Sequence, residues 1–180
     1  AIAKTLEMFH PEPKVKKSVR KGAFIHPDSR IGDNVMIEPG AVIENDVFIG
    51  QDSWIGSNVY IGPGVIIGKY SRLYPNVTVY HDVEIGERVI IHSGTVVGCD
   101  GFGFISRENI HEKIPQIGNV VIGDDCLIGD HSILHPNVTL YRNSELGKHV
   151  ILHSGVVIGA DGFGYTLDEA GRHFKINQVG

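Results

Sequence analysis

Residues 25–97 read IHPDSR-IGDNVM-IEPGAV-IENDVF-IGQDSW-IGSNVY-IGPGVI-IGKYSR-LYPNVT-VYHDVE-IGERVI-IHSGTV-V. An aliphatic residue opens every block of six, from Ile25, Ile31 and Ile37 through Leu73 and Val79 to Ile91 and Val97. Two residues before each stands a small or slender one, as at Ala23, Ser29, Val35, Ala41, Ser53, Ser71 and Thr95. Three residues after comes a turn former in nearly every block: Asp28, Asn34, Gly40, Asp46, Asp52, Asn58, Gly64, Asn76, Asp82 and Gly94. A constant internal period decides the architecture before any local reading does.

Two inward residues separated by one outward residue make a short strand of period two. The Asn, Asp or Gly slot supplies the positive φ that turns the corner, since these residues tolerate it best. Three such sides close a triangular coil, and coils stack at the strand spacing of about 4.8 Å. Neither an amphipathic helix nor a hairpin repeats an aliphatic thirteen times at period six. The fold class predicted is all-β, a parallel β-helix occupying residues 23–180. Periodicity does not give its hand.

Working outward, the beat breaks at Cys99. Residues 100–119 keep no hexad register, and a loop of that length on a compact scaffold is often functional. The pattern resumes one residue out of step at Ile122 and continues through Ile128, Leu134, Leu140, Leu146, Leu152 and Ile158. The passage then repeats, 68–118 being matched by 129–180. Gly68–Phe104 maps onto Gly129–Tyr165 at an offset of 61, with 21 of 37 positions identical. Tyr74-Pro-Asn-Val-Thr returns as His135-Pro-Asn-Val-Thr, His92-Ser-Gly as His153-Ser-Gly, and Asp100-Gly-Phe-Gly as Asp161-Gly-Phe-Gly. A β-helix stopping at residue 180 has an uncapped edge, so we expect these residues to belong to a longer design or gene product.

Before the first hexad, Ala1 to His10 reads as the end of a helix stopped by Pro11 and Pro13, and Lys14 to Gly22 as a charged linker. Residues 1–22 carry six Lys/Arg against two Glu, a solvated linker or a contact for an acidic partner. The net charge of −5 argues against nucleic acid. No stretch approaches eighteen consecutive apolar residues, so no membrane span is expected. Cys99 and Cys126 are the only cysteines, which fits a reducing cytoplasm better than a disulfide framework. Outward Met36, Phe48, Trp54, Tyr60 and Ile66 form much apolar surface for a lone solenoid; such patches mean association, and a homotrimer is the expected closure.

With these residues in view, the sequence resembles the bacterial UDP-3-O-acylglucosamine N-acyltransferases of lipid A biosynthesis. The resemblance rests on the hexads, on the His-Ser-Gly-Thr-Val-Val-Gly-Cys-Asp-Gly-Phe-Gly-Phe run at 92–104, on Lys113-Ile-Pro-Gln-Ile-Gly, and on Phe9-His-Pro and Tyr74-Pro-Asn-Val. It covers most of residues 1–128, and residues 129–180 as a second copy of part of it. It implies a left-handed β-helix and a homotrimer. The implied reaction moves a 3-hydroxyacyl chain from acyl carrier protein to the amino group of a UDP-sugar, without a cofactor. The uridine-binding domain that precedes the β-helix in that family, and the Ala-His-Asn motif of its catalytic histidine, have no counterpart in these residues. No catalytic role is therefore carried over.

The candidates for chemistry come from the hexad register. Acylating an amine from a thioester needs a base for the amine proton and a means of positioning both substrates. Histidine suits the base role near neutral pH. His92, His135 and His153 sit one after an aliphatic, outward at a corner, with Tyr74 in the same slot; they are the catalytic candidates, against the plainer reading of solvated corners. Asp100, Gly101, Phe102 and Gly103 are the substrate-binding candidates, against a role in packing on a neighbouring subunit. His131 and His149 occupy the turn slot, where histidine serves the backbone. Carbonic anhydrases built on this fold hold zinc with three interface histidines; their ligand spacing is missing here, so no metal site is assigned. The rival readings are a structural or engineered scaffold without catalysis, and a hexapeptide acyltransferase acting on another amino sugar.

Overall fold

The computed structural model describes residues 18–100, 104–107, 110–113, 118–160, 165–167 and 172–175. These form a left-handed parallel solenoid with three seven-stranded sheets as its sides. The first side runs from Ser18–Val19 through Trp54–Ile55, Arg72–Leu73 and Ile90–Ile91 to Glu145–Leu146. The second runs from Phe24–Ile25 through Thr78–Val79 and Val96–Val97 to Ile151–Leu152, and the third from Arg30–Ile31 through Glu84–Ile85 to Val157–Ile158. We call the corner between first and second sides the first corner, and number the others in order. The helix end expected at residues 1–10 lies outside the described residues.

Each side is a two-residue strand, the first residue outward and the second inward. The inward aliphatics Ile37, Ile43, Ile49, Ile55, Ile61, Ile67 and Leu73 are fully buried, as are the slender Val59, Val65 and Val77. Where the slender residue is serine, its hydroxyl joins neighbouring coils. Ser71 Oγ donates to the Gly86 carbonyl at 2.9 Å and accepts from the Val89 amide at 3.2 Å. A buried hydroxyl is tolerated when so paired. Among the described residues no buried side-chain polar atom lacks a partner.

The turn slot behaves as its residue types require. Asn34, Asp46, Asp52, Asn58, Asn76 and Asp82 have φ between 56° and 63°. His131 and His149 share that conformation at φ 55°, in agreement with a backbone role. Three positions differ. Asp28 is not left-handed; its amide faces His26 Nδ1 at 3.3 Å instead. Tyr70 and Arg88, which are not turn formers, adopt φ 61° and 56°. Arg88 holds that geometry beside a fork to Asp125 on the next coil, with Nε–Oδ1 2.6 Å and Nη2–Oδ2 2.9 Å.

Coils pair at an offset of 18, as in Ile67 with Ile85. Across the break the offset rises to 37, as in Ile85 with Ile122, Ile91 with Ile128 and Val97 with Leu134. The chain therefore leaves at the second corner and re-enters on the third side without losing a coil. Within the excursion, Phe104–Arg107 and Ile110–Lys113 pair as antiparallel strands. Tyr165–Leu167 and His173–Lys175 form a second antiparallel pair.

Candidate functional site

The three candidate histidines do not share one corner. His92 follows Ile91 on the first side and stands at the first corner. His135 and His153 follow Leu134 and Leu152 on the second side and stand at the second. Asp100 is exposed and also belongs to the second corner. Gly101, Phe102 and Gly103 lie outside the described residues.

At the first corner, one slot on five successive coils holds Gly56, Tyr74, His92, Gly129 and Gly147. Trp54 meets Tyr74 edge-on, with ring centroids 5.2 Å apart. Tyr74 stacks on His92 at 4.9 Å and 24°. Gly129 and Gly147 then bring no side chain, and a groove of about 390 Å³ opens beneath His92. Its lining is His92, Leu127, Gly129, Asp130, Leu146, Gly147 and Lys148.

Polar groups converge on that groove. His92 Nδ1 is 3.7 Å from Asp130 Oδ1, and Lys148 Nζ is 2.9 Å from Asp130 Oδ2. The Lys148 hydrogen bond holds the Asp130 carboxyl below its usual range, against the opposing effect of desolvation; the Lys148, His92 and His131 charges add to the lowering. Nδ1 of His92 faces this carboxylate at 3.7 Å, and Nε2 is the ring nitrogen turned away from it. The His92 side chain is 37% exposed, open to a ligand yet packed on Tyr74. An imidazole oriented by a carboxylate, over a groove with two leucines, can accept a proton while an acyl chain lies beside it. Asp130 and Lys148 escape a sequence reading because their two coils lie beyond the excursion. The signal for them is the glycine pair in the Tyr74–His92 column.

At the second corner, His135 and His153 stack at 5.3 Å and 9°. His135 Nδ1 lies 3.2 Å from the Cys99 carbonyl oxygen and 3.8 Å from Cys99 Sγ. Burial pushes the Cys99 thiol above its ordinary range, and the Asp100 charge adds to the effect. His131 and His149 stack at 5.5 Å at the first corner. Among the described residues no group of three His, Cys, Asp or Glu side chains could hold a metal ion. No described helix is long and apolar enough to cross a membrane.

Comparison with known proteins follows the same lines. The bacterial transferase hexapeptide family (six repeats) matches residues 46–80, 70–99 and 125–160. A UDP-3-O-acylglucosamine N-acyltransferase of Marinomonas sp. (strain MWYL1) is 46% identical over 150 residues, covering 83% of this chain and 43% of the relative. One from Pseudomonas entomophila (strain L48) is 52% identical over 129 residues, covering 72% and 37%. The chain thus spans less than half the length of these curated relatives. Among solved structures, an Arabidopsis UDP-N-acetylglucosamine acyltransferase aligns with a TM-score of 0.53 at 18% identity, over 78% of this chain and 58% of that one. That likeness concerns the fold.

Proposed function

The chain belongs to the bacterial transferase hexapeptide family, and from that membership we propose that it is the β-helical part of a cytoplasmic N-acyltransferase of lipid A biosynthesis. The acyl donor is 3-hydroxyacyl-acyl carrier protein, and the acceptor is the amino group of UDP-3-O-acylglucosamine. The names and identities of the relatives support the reaction class. The observation that carries the reading is the His92–Asp130 pair above the groove at the first corner.

In this reading the acceptor amine attacks the thioester carbonyl, forming the C–N bond. His92 Nε2 takes the amine proton. As the tetrahedral intermediate collapses the C–S bond breaks, and the imidazolium returns the proton to the departing thiolate. Asp130 does not touch the reacting atoms; its carboxylate faces Nδ1, so that Nε2 is the nitrogen turned to the amine. Lys148 fixes the carboxylate, and Leu127 and Leu146 give the acyl chain apolar contact.

The outward residues of the second side are uncharged on every coil: Phe24, Val42, Tyr60, Thr78, Val96, Ile133 and Ile151. Phe24 and Ile151 are more than half exposed. This ladder suits a second copy of the chain in a homotrimer, with the first and second corners at its margins. Light scattering at micromolar concentration checks it; a monomeric mass removes the trimer.

A kinetic double-mutant cycle tests the site. His92→Ala is expected to lower kcat by about 10²–10⁴-fold, the range of a lost general base. Asp130→Asn should lower it less, and the double variant should be no slower than His92→Ala alone. Additive losses would separate the two residues and remove the pair from the mechanism.

A further inference from the structure

We propose that the repeated passage builds a second acyl-transfer corner, turned one side round the solenoid, with His135 as its base. The inference rests on the reading of the first corner as an acyl-transfer site and extends it to a part of the chain that reading leaves unused.

The turn follows from the offsets. A plain coil advances 18 residues and the coil containing the excursion 37. The repeat offset of 61 exceeds one of each by one hexad, which is one side. Every strand of the second copy is accordingly displaced. Ile66–Ile67 on the third side becomes Leu127–Ile128 on the first; Arg72–Leu73 on the first becomes Ile133–Leu134 on the second; Thr78–Val79 on the second becomes Thr139–Leu140 on the third. The Tyr74–His92 ring pair is rebuilt as His135–His153 one corner on, with a similar spacing of 5.3 Å against 4.9 Å.

Rotation changes what the second pair meets. The first excursion leaves the solenoid at the second corner, so its root lies beside the second ring pair. The Cys99 carbonyl oxygen is 3.2 Å from His135 Nδ1. The carbonyl is the nearer partner, Cys99 Sγ standing at 3.8 Å, and it has no proton to give; the assignment therefore puts the proton on Nδ1 and the lone pair on Nε2. The first copy has Tyr74 at this position; the second has an imidazole whose tautomer is set by a backbone oxygen. That is the state a general base needs, reached here without a carboxylate. The neighbouring outward positions are conserved in kind between the copies: Thr78 and Val96 beside the first pair become Thr139 and Val157 beside the second. They offer an acyl chain an uncharged floor.

The chemistry balances as at the first corner. The amine nitrogen bonds to the acyl carbon, the C–S bond breaks, and His135 Nε2 carries the amine proton to the leaving thiolate. His153 stacks on His135 and acts as a positioning residue.

The test compares acyl transfer by the full chain and by His92→Ala, His135→Asn and the double variant. Circular dichroism checks that each remains folded. His92→Ala is expected to keep measurable transfer, and adding His135→Asn should lower the remainder by about 10²-fold or more. If His92→Ala is as inactive as the double variant, the second corner is not a site, while the reading of the first corner stands. If the unsubstituted chain transfers no acyl group, both fail. A readout independent of turnover is the imidazole ¹⁵N spectrum: His135 protonated on Nδ1 supports the assignment, and protonation on Nε2 alone overturns it.

Discussion

His92 Nδ1 lies 3.7 Å from Asp130 Oδ1, although 38 residues and an entire excursion separate them in the chain. The contact exists because the excursion returns to the solenoid with the coil count intact, setting Ile128 beside Ile91. The site is thus a product of stacking register, and its weak points can be named.

The groove beneath His92 depends on two glycines that differ in their surroundings. Among the described residues a Cβ on Gly147 would meet nothing within 4 Å, whereas one on Gly129 would lie 2.6 Å from the Gly147 carbonyl carbon. Gly147→Leu should therefore fold normally and obstruct the groove, lowering kcat/KM by about tenfold or more at an unchanged melting temperature. Gly129→Ala should lower the melting temperature. Steady-state kinetics and thermal melts on both variants check the contrast.

The Arg88–Asp125 fork predicts an acid-sensitive contribution to stability. Hydrogen bonding from Arg88 holds the Asp125 carboxyl below its usual range, against the opposing effect of desolvation, and the same bond pushes the guanidinium further up. A carboxyl with a depressed folded pKa contributes stability that is present above its unfolded value, about 4, and is lost as pH falls through the folded value. Melting temperatures of the unsubstituted chain should decline below that range. Asp125→Asn should be less stable near neutrality and decline less steeply in acid. High salt should weaken the difference, since both groups are exposed.

How much of this was legible before the structure depends on what a period can carry. The inward column from Ile25 to Val97 repeats without interruption, so strand positions, core residues and most left-handed turns follow from spacing and residue type. Across residues 100–119 the phase of the hexad can still be read, at Ile122, but the side to which it docks cannot. Phase repeats every six residues; side and coil repeat every eighteen. For that reason His92, His135 and His153 share a slot in the sequence and divide between two corners in space, and Asp130 could not be joined to His92. Tyr70 and Arg88 were missed for another reason: their side chains do not favour positive φ, and the partner that accompanies Arg88 lies on the next coil.

The two faces of a strand should respond differently to truncation. Ile61 is fully buried while Ile66 is 47% exposed. Ile61→Ala is expected to cost about 2–5 kcal/mol, the range for emptying a packed aliphatic site. Ile66→Ala should change stability by less than about 0.5 kcal/mol. Urea unfolding of the two variants under identical conditions checks the assignment of inward and outward columns.

Cys126 gives a chemical probe of the same column. It is 1% exposed, its Sγ donates to the Tyr141 carbonyl at 3.1 Å, and burial pushes the thiol above its ordinary range. A thiol kept neutral and enclosed reacts slowly. Iodoacetamide at neutral pH should leave Cys126 unmodified in the folded chain and label it fully in denaturant, as read by peptide mass spectrometry. Labelling of Cys126 in the folded chain would place it outside the core.

Acyl transfer by the chain can be read by mass spectrometry. The chain is incubated with 3-hydroxyacyl-acyl carrier protein and UDP-3-O-acylglucosamine, and the sugar nucleotide is weighed. A species heavier by one hydroxyacyl group is expected, reduced by about 10²-fold or more in the incubation with the His92→Ala, His135→Asn double variant. A folded chain that leaves the acceptor unchanged would contradict this expectation.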